Sequence, residues 1–159
     1  MTGTVAGLMR CVDMLYTLRV IAVLFAALAL VPAGAHLFSM ASKLQMDRGA
    51  YLSAQRAYDG WSLFGIVVIA ALISCLALTV ALYRAGESYI LAALAFLCLV
   101  GTQGIFWTFT FPMNSATENW TMLPPKWEFL RMQWELSHAG SAALNFTALV
   151  LLVIATTKS

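Results

Sequence analysis

Four stretches of the chain are apolar for long enough to cross a hydrocarbon layer, and polar residues gather between them. A transmembrane helix needs about 20 mostly apolar residues, and the runs at about 14–37, 60–83, 89–111 and 134–156 each meet that length. The second is the purest, uncharged from Leu63 to Leu82, and the third is nearly as clean from Ile90 to Val100. With no water to satisfy their backbone groups, such runs must be helices. The pattern predicts an all-α fold: a four-helix transmembrane bundle, up-down-up-down, with both termini on the same side and residues 1–159 as a single integral membrane domain. Membrane lipid is the expected surrounding.

The first run also resembles a signal peptide, since Arg10 and Arg19 precede an apolar core that ends in Ala33-Gly34-Ala35, a small-residue pattern like a cleavage site. Its length favours an uncleaved span, bent near Pro32, which lacks a backbone donor. Between the second and third spans lies the tight turn Arg84-Ala85-Gly86-Glu87-Ser88, whereas the loops at about 38–59 and 112–133 are long and share one side of the membrane. Positive charges near the span ends set orientation. Arg10, Arg19, Arg84 and Lys158 on the short-loop side nearly balance Lys43, Arg48, Arg56, Lys126 and Arg131 on the other. The shorter elements of the first side tip the expectation toward cytoplasmic termini.

Composition changes the picture only by exclusion. Of 159 residues, 62% are hydrophobic and 10% charged, against about 25% charged in a soluble domain, so a water-soluble enzyme is excluded. A net charge of +2 with no basic run argues against a nucleic-acid partner. Cys11, Cys75 and Cys98 form no C-x-x-C pair, so neither a disulfide nor a thiolate metal site is expected. Asn119-Trp120-Thr121 fits the glycosylation pattern, which matters only in a eukaryotic secretory setting.

The chemistry-bearing residues lie toward one membrane face. Pro124-Pro125 is read as opening a helix that runs to Thr156. At about 100° per residue, Trp127, Arg131, Trp134, Glu135, His138, Ala142 and Asn145 then share one side, opposite Phe129, Met132 and Leu136. On the third helix, Gln103, Trp107, Thr110 and Asn114 follow steps of four, three and four. His36 closes the first helix. Alternating topology brings the end of helix one, the end of helix three and the start of helix four to the same face, so both histidines of the chain are predicted to flank one pocket with Glu135. Ionisable groups at membrane depth default to a functional reading.

Each residue also has a plain structural reading. Trp127 and Trp134 suit an interfacial aromatic belt. Arg131 and Glu135 suit an i, i+4 surface pair worth a few tenths of a kcal/mol. Gln103, Asn114 and Asn145 suit helix-to-helix hydrogen bonds of about 1 kcal/mol. It is the convergence of two histidines, a glutamate and an arginine that favours a site. Glu135-x-x-His138 is half of a di-iron carboxylate motif, but no second half exists. The residues leave three chemistries open: a mononuclear metal bound by His36, Glu135 and His138, a haem held between His36 and His138, or cofactor-free general-base catalysis by His138, polarised by Glu135, on an acidic phenol.

Phe111-Pro112-Met113-Asn114, followed by Leu130-Arg131-x-x-Trp134-Glu135-x-x-His138, resembles the small four-helix membrane proteins grouped with the anthrone oxygenases, a bacterial and fungal family. The resemblance implies an oxygenase-like or redox activity, using molecular oxygen, on an aromatic molecule that partitions into membrane. It implies functional roles for Asn114, Arg131, Trp134, Glu135 and His138, and nothing about a cofactor. The resulting expectation is an oxygenase-like enzyme of the bacterial inner membrane. Its apolar, aromatic substrate would bind near the outer interface against Trp107, Trp134 and Gln103, with His138, Glu135, Arg131 and Asn114 as catalytic groups. Association with further copies of the chain is left open. The alternative is a non-enzymatic accessory or haem-carrying subunit of a membrane complex. A small multidrug-type transporter ranks last, because the second and third spans hold no carboxylate.

Overall fold

A computed structural model of the chain describes the backbone of residues 2–157 and the side chains of residues 13–157; Arg10, Cys11 and Lys158 fall outside the described side chains. Four helical stretches are long and apolar enough to cross a membrane: Asp13–Lys43, Trp61–Ala85, Ile90–Ala116 and Trp127–Thr157. No strand occurs among the described residues. The first span belongs to α1 (Thr2–Lys43), which runs unbroken through Pro32 and so shows no interruption at the expected bend. A short α2 (Arg48–Gln55) follows, then turns of 3₁₀ helix, then α3 (Phe64–Ala85), α4 (Ile90–Ile105), a π turn (Phe106–Thr110), α5 (Phe111–Ala116) and α6 (Trp127–Thr157).

The spans alternate in direction. Arg19, early in α1, pairs with Glu87 in the α3–α4 turn, while His36, late in α1, meets His138, early in α6. The two termini therefore lie at one end of the bundle, and the two long loops cap the other. Gly86 ends α3 with φ 71°, and the N–H groups of Gly86 and Glu87 donate to Tyr83 and Leu82 carbonyls. This left-handed cap satisfies carbonyls that the helix end leaves free. A thiol-reactive probe that does not cross membranes is expected to label exposed Ser53→Cys and Ala85→Cys from opposite sides of sealed vesicles; labelling from one side would refute the alternation.

The interior has two apolar regions. Toward the termini, Ala22, Ala26 and Ala29 of α1 meet Ala71, Cys75 and Leu78 of α3, Ala92, Ala95 and Leu99 of α4, and Ala148 and Leu152 of α6. Small residues let helices approach closely, which drives association where lipid is as apolar as the protein. At the loop end an aromatic cap is built from Tyr51, Trp120, Leu123, Trp127 and Trp134. Asp47 starts α2 by accepting the Ala50 N–H at 2.9 Å, a typical N-cap. The two long loops are tied together, Arg48 donating to the Leu123 carbonyl and Arg56 to the Asn119 and Trp120 carbonyls.

Two sequence expectations are corrected. The Pro124-Pro125 pair does not open α6, which begins at Trp127, whose N–H donates to the Pro124 carbonyl at 3.0 Å. A residue followed by proline is pushed out of the α region, so Pro124 closes a turn instead. On the third span the π turn at Phe106–Thr110 resets the helical phase just before Pro112. Proline cannot donate to the carbonyl four residues back, and a π turn absorbs such a gap. Thr110 therefore faces inward, bonded to Ser137 at 2.8 Å, while Trp107 turns outward at 62% exposure.

Candidate functional site

Between the alanine-rich core and the aromatic cap lies a buried chain of polar groups. The helical stripe that the sequence predicts is the inward face of α6: Trp127, Arg131, Trp134, Glu135, Ala142 and Asn145 are buried, His138 is half-buried, and Phe129, Met132 and Leu136 are exposed. Glu135 is fully buried. Its Oε1 pairs with Lys43 Nζ at 2.8 Å and accepts from the Tyr51 hydroxyl at 3.1 Å. Gln55 Nε2 donates to that same hydroxyl at 2.9 Å.

Lys43 continues the chain, with Nζ 3.1 Å from His36 Nδ1. An ammonium paired with a carboxylate offers only donors, so Nδ1 accepts and the His36 proton resides on Nε2, leaving His36 neutral. Across the α1–α6 contact the His36 and His138 rings lie 4.2 Å apart, centroid to centroid, tilted by 35°. Trp134 touches both edge-on, at 4.6 and 4.3 Å, and Tyr58 lies against His36 at 4.1 Å. Lys43 Nζ sits 5.0 and 5.2 Å from the Tyr58 and Trp134 ring centroids, within reach of cation–π attraction. Burial, then the adjacent Glu135 carboxylate, pushes the Tyr51 phenol above its ordinary value, so it remains a hydrogen-bond donor.

Arg131 and Asn114 hold the frame. Arg131 Nη1 donates to the Lys43 and Met46 carbonyls at 3.1 and 2.8 Å. It thereby closes the C-terminal end of α1, where free carbonyls and the helix dipole favour a cation. The guanidinium also rests 4.5 Å from the Trp127 ring centroid. Asn114 Oδ1 accepts from both Trp134 Nε1 (2.7 Å) and Trp120 Nε1 (3.2 Å), which fixes the indole against the histidines. Trp120 ends a run of three non-glycine residues with positive φ: Glu118 (48°), Asn119 (56°) and Trp120 (62°). Such backbone persists only where its surroundings over-determine it. Here Arg56 binds two of its carbonyls, Thr117 Oγ1 accepts the Trp120 N–H, and the Trp120 side chain is buried.

The expected sites separate into those brought together and those not. His36, His138, Glu135, Arg131, Trp134 and Asn114 assemble around one network. Trp107 and Gln103 do not join it: Trp107 faces outward, and the hydrogen bond of Gln103 goes to its neighbour Thr102 at 3.2 Å. The metal set of His36, Glu135 and His138 is not assembled either. Among the described residues no three His, Cys, Asp or Glu side chains are grouped to hold an ion, because Lys43 occupies the place between Glu135 and His36. A haem clamp would need ring nitrogens about 4 Å apart along one axis through iron. Two ring faces with centroids at 4.2 Å leave no gap for it.

Sequence reasoning missed Lys43, Tyr51, Gln55, Tyr58 and Trp120. A signal existed for Lys43, seven residues or two helical turns beyond His36 and hence on the same face. Another existed for Tyr51 and Gln55, spaced i, i+4 behind the Asp47 cap. No protein-family profile, curated protein or solved structure matches the chain.

Proposed function

We propose that the chain is an integral membrane enzyme of oxygenase type that acts on an apolar, acidic aromatic molecule, with His138 as its proton acceptor. The observation that carries this reading is the His36–His138 pair, held in contact by Trp134 and backed by a buried Lys43–Glu135 ion pair. Such a buried ionic network costs desolvation, and a bundle needing only to fold would be served by apolar side chains there. The resemblance to the anthrone oxygenases supplies the substrate class and the oxidant. The ring methylene that lies across the central ring from the ketone loses a proton to the His138 imidazole, and the electron pair passes through the conjugated rings into the carbonyl oxygen. Molecular oxygen then oxidises that anion, so that overall CH₂ and O₂ become C=O and H₂O. His36, with its proton on Nε2, is a neutral donor beside the base. Trp134 and Tyr58 border the histidine pair with aromatic surface. The reading sets this site near the outer face of a bacterial inner membrane, with cytoplasmic termini.

The test uses purified protein in lipid nanodiscs with anthrone. Oxygen uptake matched one-to-one by anthraquinone, well above the rate in empty nanodiscs, is expected; a rate equal to the empty-nanodisc rate would sink the proposal. A second reading, a non-enzymatic membrane subunit, is favoured by one observation. Two cavities lie away from the histidines, one of about 230 Å³ beside Arg56 and Trp120 and the other between α1 and α3.

A further inference from the structure

At the terminus end of the bundle, α1 and α3 leave a groove of about 570 Å³ between them. Its size falls in the range of small-molecule sites, about 300–1,000 Å³. Met14 and Leu18 of α1 and Ile73 and Val80 of α3 form apolar walls, Ala77 and Ala81 line it where larger side chains would fill it, and Arg84 stands at its end. From Ile73 to Arg84 the helix rises about 17 Å, close to half of the roughly 30 Å hydrocarbon thickness. The groove is thus as long as one leaflet is deep, and Arg84 at its end is next to Ala85, the last residue of the second span.

The charges at that end are unequal. Arg19 is engaged by Glu87. Arg84 is exposed and forms no hydrogen bond or ion pair among the described residues. A free guanidinium at the mouth of an apolar slot of leaflet length complements one kind of molecule: an acyl chain joined to a phosphodiester that carries no cation of its own, whose oxygens a guanidinium binds in fork geometry with a net negative charge left to neutralise. We propose that this groove holds one anionic phospholipid, an acyl chain along Ala77 and Ala81 and the phosphate on Arg84. The site is independent of the histidine network and of any reaction there.

Delipidated protein in detergent micelles is titrated with phosphatidylglycerol and, separately, phosphatidylcholine of identical acyl chains, and bound lipid is counted by native mass spectrometry. The first bound lipid is expected to show a preference of about fivefold for phosphatidylglycerol, the scale of one basic side chain facing an anionic headgroup. Arg84→Gln, an exposed change that leaves the bundle intact, is expected to erase that preference, and Ala81→Leu to weaken the first lipid of either type by filling the slot. Glycerol phosphate at equal concentration should not displace it, since the acyl chain carries the seat. Equal binding of the two lipids, or a preference that survives Arg84→Gln, would overturn the proposal.

Discussion

Lys43→Met is expected to destabilise the bundle by about 3–5 kcal/mol, the cost of leaving one member of a buried ion pair behind. Lys43 and Glu135 are 2% and 0% exposed, so neither charge has water as a substitute partner. Removing the ammonium leaves the Glu135 carboxylate with the Tyr51 hydroxyl at 3.1 Å as its remaining donor, and Oε2 already lacks a partner. Glu135→Leu should cost a similar amount, because the ammonium then faces only the His36 ring nitrogen and aromatic faces. The double replacement Lys43→Met/Glu135→Leu is expected to recover most of that loss, since an apolar pair of similar volume removes both desolvation costs at once. Reversible unfolding in mixed micelles gives the coupling energy through the cycle of single and double variants. A Lys43→Met protein within about 1 kcal/mol of the parent, the range of an exposed pair, would show that water reaches the network. A stable but inactive double variant would separate the chemistry of the pair from its part in folding.

What the sequence disclosed and what it withheld have different physical causes. The four spans were legible because lipid forces each one to be long, apolar and internally hydrogen-bonded. The meeting of His36 and His138 was legible because alternating spans leave only one way to place their ends. The ends themselves were not legible. Hydropathy falls at Ser39 and Lys43, which suggests that the first helix stops at Leu37, yet the backbone stays helical to Lys43. Those polar groups find partners inside the bundle, His36 and Glu135 for Lys43, and hydropathy cannot register a partner. That hidden turn and a half of helix carried the cation which turns the presumed metal set into an ion-pair network. Trp107 was misplaced for a related reason. Steps of four, three and four assume an unbroken α-helix, and the π turn before Pro112 rotates everything upstream of it. Asn114, downstream of the turn, kept its inward place and became the acceptor for two indoles. Arg131 and Glu135, expected on the inward stripe though also readable as a surface pair at i, i+4, do face inward, and each reaches the end of α1 or the loop that follows it.

His138→Gln is expected to lower anthrone oxidation by about 10²-fold or more, the usual contribution of a positioned general base. Glutamine keeps much of the side chain's volume and a hydrogen-bonding head but cannot accept the proton at neutral pH. His36→Gln should cost less, because in the proposed reaction His36 keeps its proton on Nε2 and acts as a neutral donor, a part that an amide N–H partly reproduces. His138→Ala supplies the control for role as opposed to shape: the space left beside Trp134 and the His36 ring should admit imidazole from solution, and added imidazole should restore part of the rate. A merely structural histidine would show no such rescue. The thermal midpoints of the two His138 variants should stay within a few degrees of the parent, since His138 is half-buried and no hydrogen bond ties its ring to a neighbour among the described residues; His36→Gln, which replaces a buried acceptor of Lys43, should lower the midpoint further. Should His138→Gln oxidise anthrone at the parental rate, the proton acceptor lies elsewhere and the histidine pair is a packing contact. Slow oxidation restored by imidazole in His138→Ala but not in His138→Gln, where the site is filled, would set the base at this ring on α6.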